Sequence, residues 1–305
     1  MSMKTNYSLF NRQKVLVALL HALSDKVSNL DFQKLLFLYC REFEMKPSYE
    51  FIPYYLGAFS FTSYADRRKL MEHGLLVEHN DAWELTDAGN EIAAKLYREL
   101  DGISNFVKKY RCIRGNTLIA ETYRRYPYYG IQSQIVENVL RGDAMALKKI
   151  RAARPAKNKP GLATIGYEGH TLEAYLNILL KDGVTLLCDV RRNALSRKYG
   201  FSKSTLSKGC EGVGIRYQHL PELGIDSKLR KDLSTQASYD RLFDQYERDV
   251  LPHQTDALGL IADWVARGER VALTCYEHSP AQCHRHCVSE VLEQRLGDQY
   301  IARHL

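Results

Sequence analysis

Val271-Ala-Leu-Thr-Cys275-Tyr-Glu277-His278-Ser-Pro280-Ala-Gln-Cys283-His284-Arg285-His286-Cys287 opens as an apolar, β-branched strand, breaks at Ser279-Pro280 and restarts as a helix over residues 283–296. Thiols, imidazoles, a carboxylate and a guanidinium crowd its second half. In an open α/β sheet, the carboxyl end of a strand leading into a helix N-terminus is where ligands sit. Outward from this stretch the pattern repeats. Strands are expected at residues 163–167, 185–190, 215–220, 270–275 and 299–305, with helices at 172–181, 203–211, 239–250 and 256–266 between them. Alternation of this kind predicts a three-layer, mostly parallel five-stranded α/β sheet over residues 162–305.

The expected strand ends are polar in a consistent way. The first leads into Tyr167-Glu168-Gly169-His170, and the second into Asp189-Val190-Arg191-Arg192 with Ser196 beyond. The third leads into His219, then Pro221-Glu222, and the fourth into Cys275-Tyr276-Glu277-His278. In a parallel sheet these groups meet at one edge and form a polar pocket.

Several motifs run in order: Thr164-Ile165-Gly166-Tyr167-Glu168, Asp189-Val190-Arg191, Ser196, Phe201-Ser202, Gly214-Ile215, Tyr217, His219-Leu220-Pro221-Glu222-Leu223-Gly224, Cys275 with Glu277, Cys283-His284-Arg285 and the closing His304. In this, residues 162–305 resemble the domain-of-unknown-function 488 family. That resemblance implies a compact α/β domain whose motif residues gather in one pocket, and it brings no settled activity with it.

Chemically, Asp189 and Glu277 are paired carboxylate candidates for acid/base work, one raised by burial and the other held ionised by arginine. Arg191, Arg192 and Arg285 offer forked donors to a phosphate or carboxylate, and Arg285 lies in the first turn of its helix. Tyr167, Glu168, Ser196, His219 and Glu222 complete the expected binding set, and Cys275 and His284 the catalytic one. The competing reading is an internal Asp–Arg and Glu–Arg network that only holds loops together. Cys275 also resembles the strand-end nucleophile of rhodaneses and cysteine phosphatases. There, nucleophile and arginine bracket a five-residue loop, whereas Cys275 and Arg285 are ten apart. No cofactor is expected. A divalent metal on Cys275, His278, Cys283, His284, His286 or Cys287 is weighed, but no Cys-x-x-Cys knuckle is present, so none of these is assigned as a ligand. Cys188 and Cys210 read as plain core.

The N-terminal half differs in charge and grammar. Residues 1–160 carry 25 Lys+Arg against 17 Asp+Glu, and residues 161–305 carry 18 against 19, so the basic excess belongs to the first half. It points to a polyanionic partner, DNA before RNA. Amphipathic helices are expected at 12–23, 30–44 and 62–73, joined by a Pro/Tyr-rich connection at 47–57. A hairpin around Asn80-Asp81 and a Leu85-Thr86-Asp87 helix start follow.

This order resembles a winged-helix domain, and residues 30–74 also resemble the helical domain of Panacea- and SocA-type antitoxin-like proteins. The winged-helix likeness implies nucleic-acid contact by Tyr64, Arg67, Arg68 and Lys69 on the basic helix, and by His79 and Trp83 on the wing. Arg124-Arg125-Tyr126-Pro127-Tyr128-Tyr129 reads either as a base-stacking surface or, preferably, as a hydrophobic seam between domains.

Domains are therefore expected at 1–150 and 162–305, with a linker at 151–161. No apolar run approaches a membrane span, the first residues lack a signal-peptide pattern, and seven cysteines are an odd count for a disulfide framework; a cytoplasmic protein with reduced thiols is expected. The expectation for function is an enzyme acting on nucleic acid or a nucleotide by a hydrolytic or glycosidic step, in modified-DNA metabolism or phage defence, with a small anionic or phosphorylated ligand in the pocket. The alternative is a non-enzymatic regulator that senses such a ligand. Oligomeric state is not legible.

Overall fold

The computed structural model describes residues 8–23, 26–100, 102–156, 159–230, 233–297 and 299–305. The chain divides into two units, Met1–Arg154 and Pro155–Leu305. The first is mainly helical. It runs α1 (Asn11–Ala22), β1 (Lys26–Ser28), α2 (Asn29–Glu42), a hairpin of β2 (Ile52–Tyr54) and β3 (Gly57–Phe59), and α3 (Phe61–Glu72). A hairpin of β4 (Leu76–His79) and β5 (Ala82–Leu85) comes next, then α4 (Asp87–Glu99), α5 (Ile103–Tyr110), α6 (Gly115–Arg125), α7 (Val136–Val139) and α8 (Ala144–Ala152).

Side-chain caps start the key helices: the Asp31 N–H donates to Ser28 Oγ at 3.1 Å, and the Gly89 N–H to Thr86 Oγ1 at 3.1 Å. Asn80 and Asp81 turn the second hairpin with φ of 52° and 56°, the left-handed pair a two-residue turn needs. Strands β1, β5 and β4 form an antiparallel sheet in that order. The expected connection at 47–57 instead holds most of the β2–β3 hairpin. Its short strands and Pro53 hid it from a periodicity reading.

Tyr126 and Tyr129 pack on Phe37 with ring centroids 5.1 and 4.5 Å away. Tyr129 belongs to this unit's own core and Tyr126 packs against it.

In the second unit the order is β6 (Gly161–Gly166), α9 (Leu172–Lys181), β7 (Leu186–Asp189), α10 (Lys203–Gly212), β8 (Arg216–His219), α11 (Gln236–Asp249), α12 (Thr255–Ala266), β9 (Arg270–Cys275), α13 (Arg285–Leu296) and β10 (Arg303–His304). The sheet order is β10-β6-β9-β7-β8, and every pair is parallel. Helices flank it, and Leu186, Cys188, Val190, Val271 and Leu273 bury one face under α11, α12 and α13. The last expected strand shrinks to two residues. Helix α8 ends at Ala152 and β6 starts at Gly161; within the expected linker, residues 157–158 lie outside the described ones.

Register places the chemistry. Gly166 pairs with Cys275, and Asp189 with both Thr274 and His219, so the strand ends finish level at one edge. Among the described residues, no helix is long and apolar enough to cross a membrane.

Candidate active site

A cavity of about 440 Å³ opens at this edge, and its walls include Tyr167, Arg192, Asn193, Arg230, Cys275 and His284. Its floor comes from the stretch that leaves β9. Helix α13 does not begin at Cys283 as expected. Pro280–Gln282 forms a 3-10 turn, Cys283 is extended at φ −140°, and His284 is the residue before the helix. The turn carries Cys283 and His284 back over Cys275, and all three are buried. Their Sγ, Sγ and Nδ1 atoms lie within 4.8 Å of one another, with Cys275 Sγ to His284 Nδ1 at 3.9 Å. His284 Nε2 faces the Val190 carbonyl at 3.0 Å. A carbonyl only accepts, so Nε2 carries hydrogen and Nδ1 is turned to the sulfurs.

Glu277 stands beside this group. The Cys275 thiol donates to its Oε2 at 3.4 Å, and Arg230 pairs with its Oε1. Burial pushes the Glu277 carboxyl above its usual range, with the Cys283 sulfur adding to the effect and Arg230 opposing it. Its hydrogen bond with Cys283, burial and the charge nearby push the Cys275 thiol up. Burial opposes charge on Cys283 as well. Hydrogen bonds from Cys275 and His284, with the His284 and Arg285 charges, overcome it and draw that thiol down.

The other expected groups sort into sealed ties and open walls. Asp189 is fully buried: it accepts from Arg191 Nε at 2.8 Å, Arg191 Nη2 at 2.5 Å and Tyr217 Oη at 2.6 Å. Arg191 spends Nη1 on Tyr167 Oη at 3.0 Å and on the Phe201 carbonyl at 2.9 Å. Burial works against its charge, and Asp189 outweighs that and holds the guanidinium protonated. Arg285 is buried too, donating to the carbonyls of Glu277 and His278 at 2.5 and 2.8 Å. These contacts engage the hydrogen-bonding atoms of Asp189, expected to do acid/base work, and of Arg191 and Arg285, expected to seat phosphate; Arg191 also lines the cavity.

Glu168 accepts the His278 N–H at 3.0 Å, Ser196 Oγ accepts the Lys198 N–H at 3.1 Å, and His219 Nε2 donates to the Arg191 carbonyl at 2.9 Å. All three tie loops. Glu222 sits in the Pro221–Leu223 turn, and neither it nor these three is among the cavity walls. Tyr167 does face the cavity, its ring stacked 4.4 Å from Phe201. Arg192 is exposed at the rim.

Arg230 and Cys283 were missed as site residues. Arg230 follows Asp226-Ser-Lys-Leu, which reads as a solvated loop, and Cys283 reads as the first turn of a helix. Of the six weighed metal ligands, Cys275, Cys283 and His284 converge. His286 and Cys287 gather instead with Glu247. Cys188 and Cys210 are buried core, their thiols pushed up by burial.

In the first unit, Arg67 Nη1 pairs with Glu78 Oε1 at 2.5 Å, and its guanidinium lies 4.6 Å from the Tyr64 ring centroid and 5.5 Å from that of Trp83. Trp83 is wholly buried, 4.6 Å from the Phe32 ring. Trp83 is therefore core, which corrects its expected place on a contact surface, and Arg67 clamps α3 to β4. Tyr64 is half-buried, whereas Arg68, Lys69 and His79 are exposed.

Residues 171–292 match the family described as domain of unknown function DUF488. No curated protein and no solved structure matches the chain. The matched span holds Asp189, Arg191, Arg230, Cys275, Glu277, Cys283 and His284, and it lies wholly within the second unit. The C-terminal unit of this chain is a DUF488 domain.

Proposed function

We propose that the C-terminal unit is an enzyme that binds a phosphorylated ligand, a nucleotide or a nucleic-acid end, in the cavity at the sheet edge. The observation that carries this reading is the composition of that cavity: three arginines line it, Arg191 tied to Asp189 and Arg192 and Arg230 beside it, with a buried Cys275–His284 pair on its floor and Glu277 behind. Arginine at a cavity wall offers paired donors to phosphate. Thiol, imidazole and carboxylate buried together are groups that take and give protons or attack an electrophile. In this reading the arginines seat the phosphate, and Glu277 moves the proton of a hydrolytic or glycosidic step.

The N-terminal unit brings the chain to nucleic acid. Three features support a winged-helix role for it: the order α1-β1-α2-α3-β4-β5, interrupted by the β2–β3 hairpin between α2 and α3, the antiparallel β1-β5-β4 sheet, and Arg68, Lys69 and His79 exposed on helix and hairpin. The basic excess of residues 1–160 agrees with it.

The test is the full chain on end-labelled single- and double-stranded DNA, with unmodified and modified bases, beside Glu277→Gln. The reading predicts a shortened or base-free product, lost in the variant while the mobility shift remains. DNA binding with no product from any substrate favours the non-enzymatic sensor instead, and no mobility shift at low salt removes the nucleic-acid partner.

A further inference from the structure

We infer that Cys275, Cys283 and His284 form a binding site for a zinc-class metal ion, reached from the cavity at the sheet edge. Two pieces of backbone deliver the ligands: the end of β9 brings Cys275, and the link from the 3-10 turn into α13 brings the consecutive Cys283 and His284. Their donor atoms lie within 4.8 Å of one another, and Cys275 Sγ stands 3.9 Å from His284 Nδ1. Zinc–sulfur bonds of about 2.3 Å and zinc–nitrogen bonds of about 2.0 Å at tetrahedral angles place such atoms about 3.5–3.8 Å apart. Small side-chain movements close the set.

Chemistry and orientation favour the same class of ion. Two sulfurs and an imidazole are borderline-soft donors, which select zinc over calcium or magnesium. The His284 ring is held from behind by the Val190 carbonyl at 3.0 Å, the outer contact that fixes a ligating imidazole with its other nitrogen toward the metal. The edge of Tyr246, 5.7 Å away, packs the ring in place. The donors are nearly inaccessible, at 1% for Cys275, 0% for Cys283 and 2% for His284. The second cluster, Glu247, His286 and Cys287, lacks this build: Glu247 is exposed, and His286 Nδ1 is turned to the Cys283 carbonyl at 2.7 Å.

Three protein ligands leave one position of a tetrahedral ion for water or substrate, the pattern of catalytic rather than structural zinc. Cys275 and His284 are themselves cavity walls, so that position is approached from the side that Arg192 and Arg230 line. A catalytic use of the ion rests on the function proposed above, whereas its binding does not.

The experiment is cobalt(II) and zinc(II) titration of the reduced, metal-stripped full chain, with elemental analysis of the protein as purified. The expected result is one equivalent bound per chain, with a near-ultraviolet thiolate-to-cobalt charge-transfer band and the visible bands of a tetrahedral ion. Cys275→Ser and Cys283→Ser should each weaken uptake at least tenfold, and Cys287→Ser should not; far-ultraviolet circular dichroism reports whether each variant folds. Two results overturn the site: no uptake by the wild-type chain, or uptake without the charge-transfer band. A full metal load with no turnover on any substrate leaves the site standing and counts against the function alone.

Discussion

Arg191 folds back along its own strand end to grip Asp189 through two nitrogens, at 2.8 and 2.5 Å, and both residues are buried. Tyr217, Tyr167 and the Phe201 carbonyl take what remains of their hydrogen-bonding capacity. The unit that looked in sequence like a catalytic acid beside a phosphate ligand is a buried brace between β7, β8 and the loops above them.

Asp189→Asn should therefore cost about 3–5 kcal/mol in urea denaturation, because it leaves the Arg191 charge buried without its counter-ion. A variant that unfolds at the wild-type midpoint and fails only in turnover would return Asp189 to the chemistry.

Gly166 has no room for a side chain. A Cβ there would stand 1.8 Å from the Glu277 carbonyl oxygen, and backbone cannot yield as a flexible side chain does. Gly166→Ala should push the Glu277–His278 loop outward, loosening both the Arg230–Glu277 pair and the Arg285 contacts. The expected readout is a loss of about 1–3 kcal/mol in stability together with weaker ligand binding. An alanine variant with unchanged stability and binding contradicts the close approach.

Lys34 lies fully buried in the first unit and donates to the Ala58 carbonyl at 2.8 Å; burial pulls its pKa down to about 7, with Asp31 opposing. Below that value the folded chain carries a buried cation. Above it the folded chain has shed a proton that the unfolded chain still binds up to about pH 10.4, so stability rises with pH in that window. Relative to Lys34→Met, the wild type should gain about 1.4 kcal/mol per pH unit above pH 7. Denaturant titrations of both proteins at pH 6 to 9 measure it, and the comparison cancels the titration of the buried cysteines. A difference that stays flat across the range places Lys34 in a solvated state.

On DNA, Arg68→Ala with Lys69→Ala should weaken binding evenly across sequences and lower the slope of log affinity against log salt by about 2. Trp83→Phe should leave that slope alone and reduce only stability, since its ring lies in the core. A mobility shift insensitive to the double change rules out α3 as the contact.

The architecture of the second unit was legible because its elements announce themselves. Leu172–Lys181 begins at the Thr171 cap and carries apolar residues at helical spacing, and β9 is a β-branched run ending where the loop begins. Convergence of the strand ends followed from parallel order alone. Roles were harder to read, because sequence fixes which strand end a side chain leaves from and not the direction it takes. Arg191 turns back to its neighbour two positions away, whereas Arg230, from a stretch that looks solvated, reaches Glu277. Cys283 was weighed as a metal ligand but left unassigned, because it reads as the first turn of a helix; Pro280 delays that helix and Cys283 is swung over Cys275.

The central claim is that Arg192 and Arg230 make the cavity at the sheet edge a phosphate-binding site. Calorimetric titration of the full chain with a 5′-phosphorylated dinucleotide tests it most directly, alongside Arg192→Ala/Arg230→Ala. Charged hydrogen bonds contribute about 1.5–3 kcal/mol each, so the double variant should bind at least tenfold more weakly than the wild type. Equal affinity in the two proteins, or no binding to the wild type, would contradict the account.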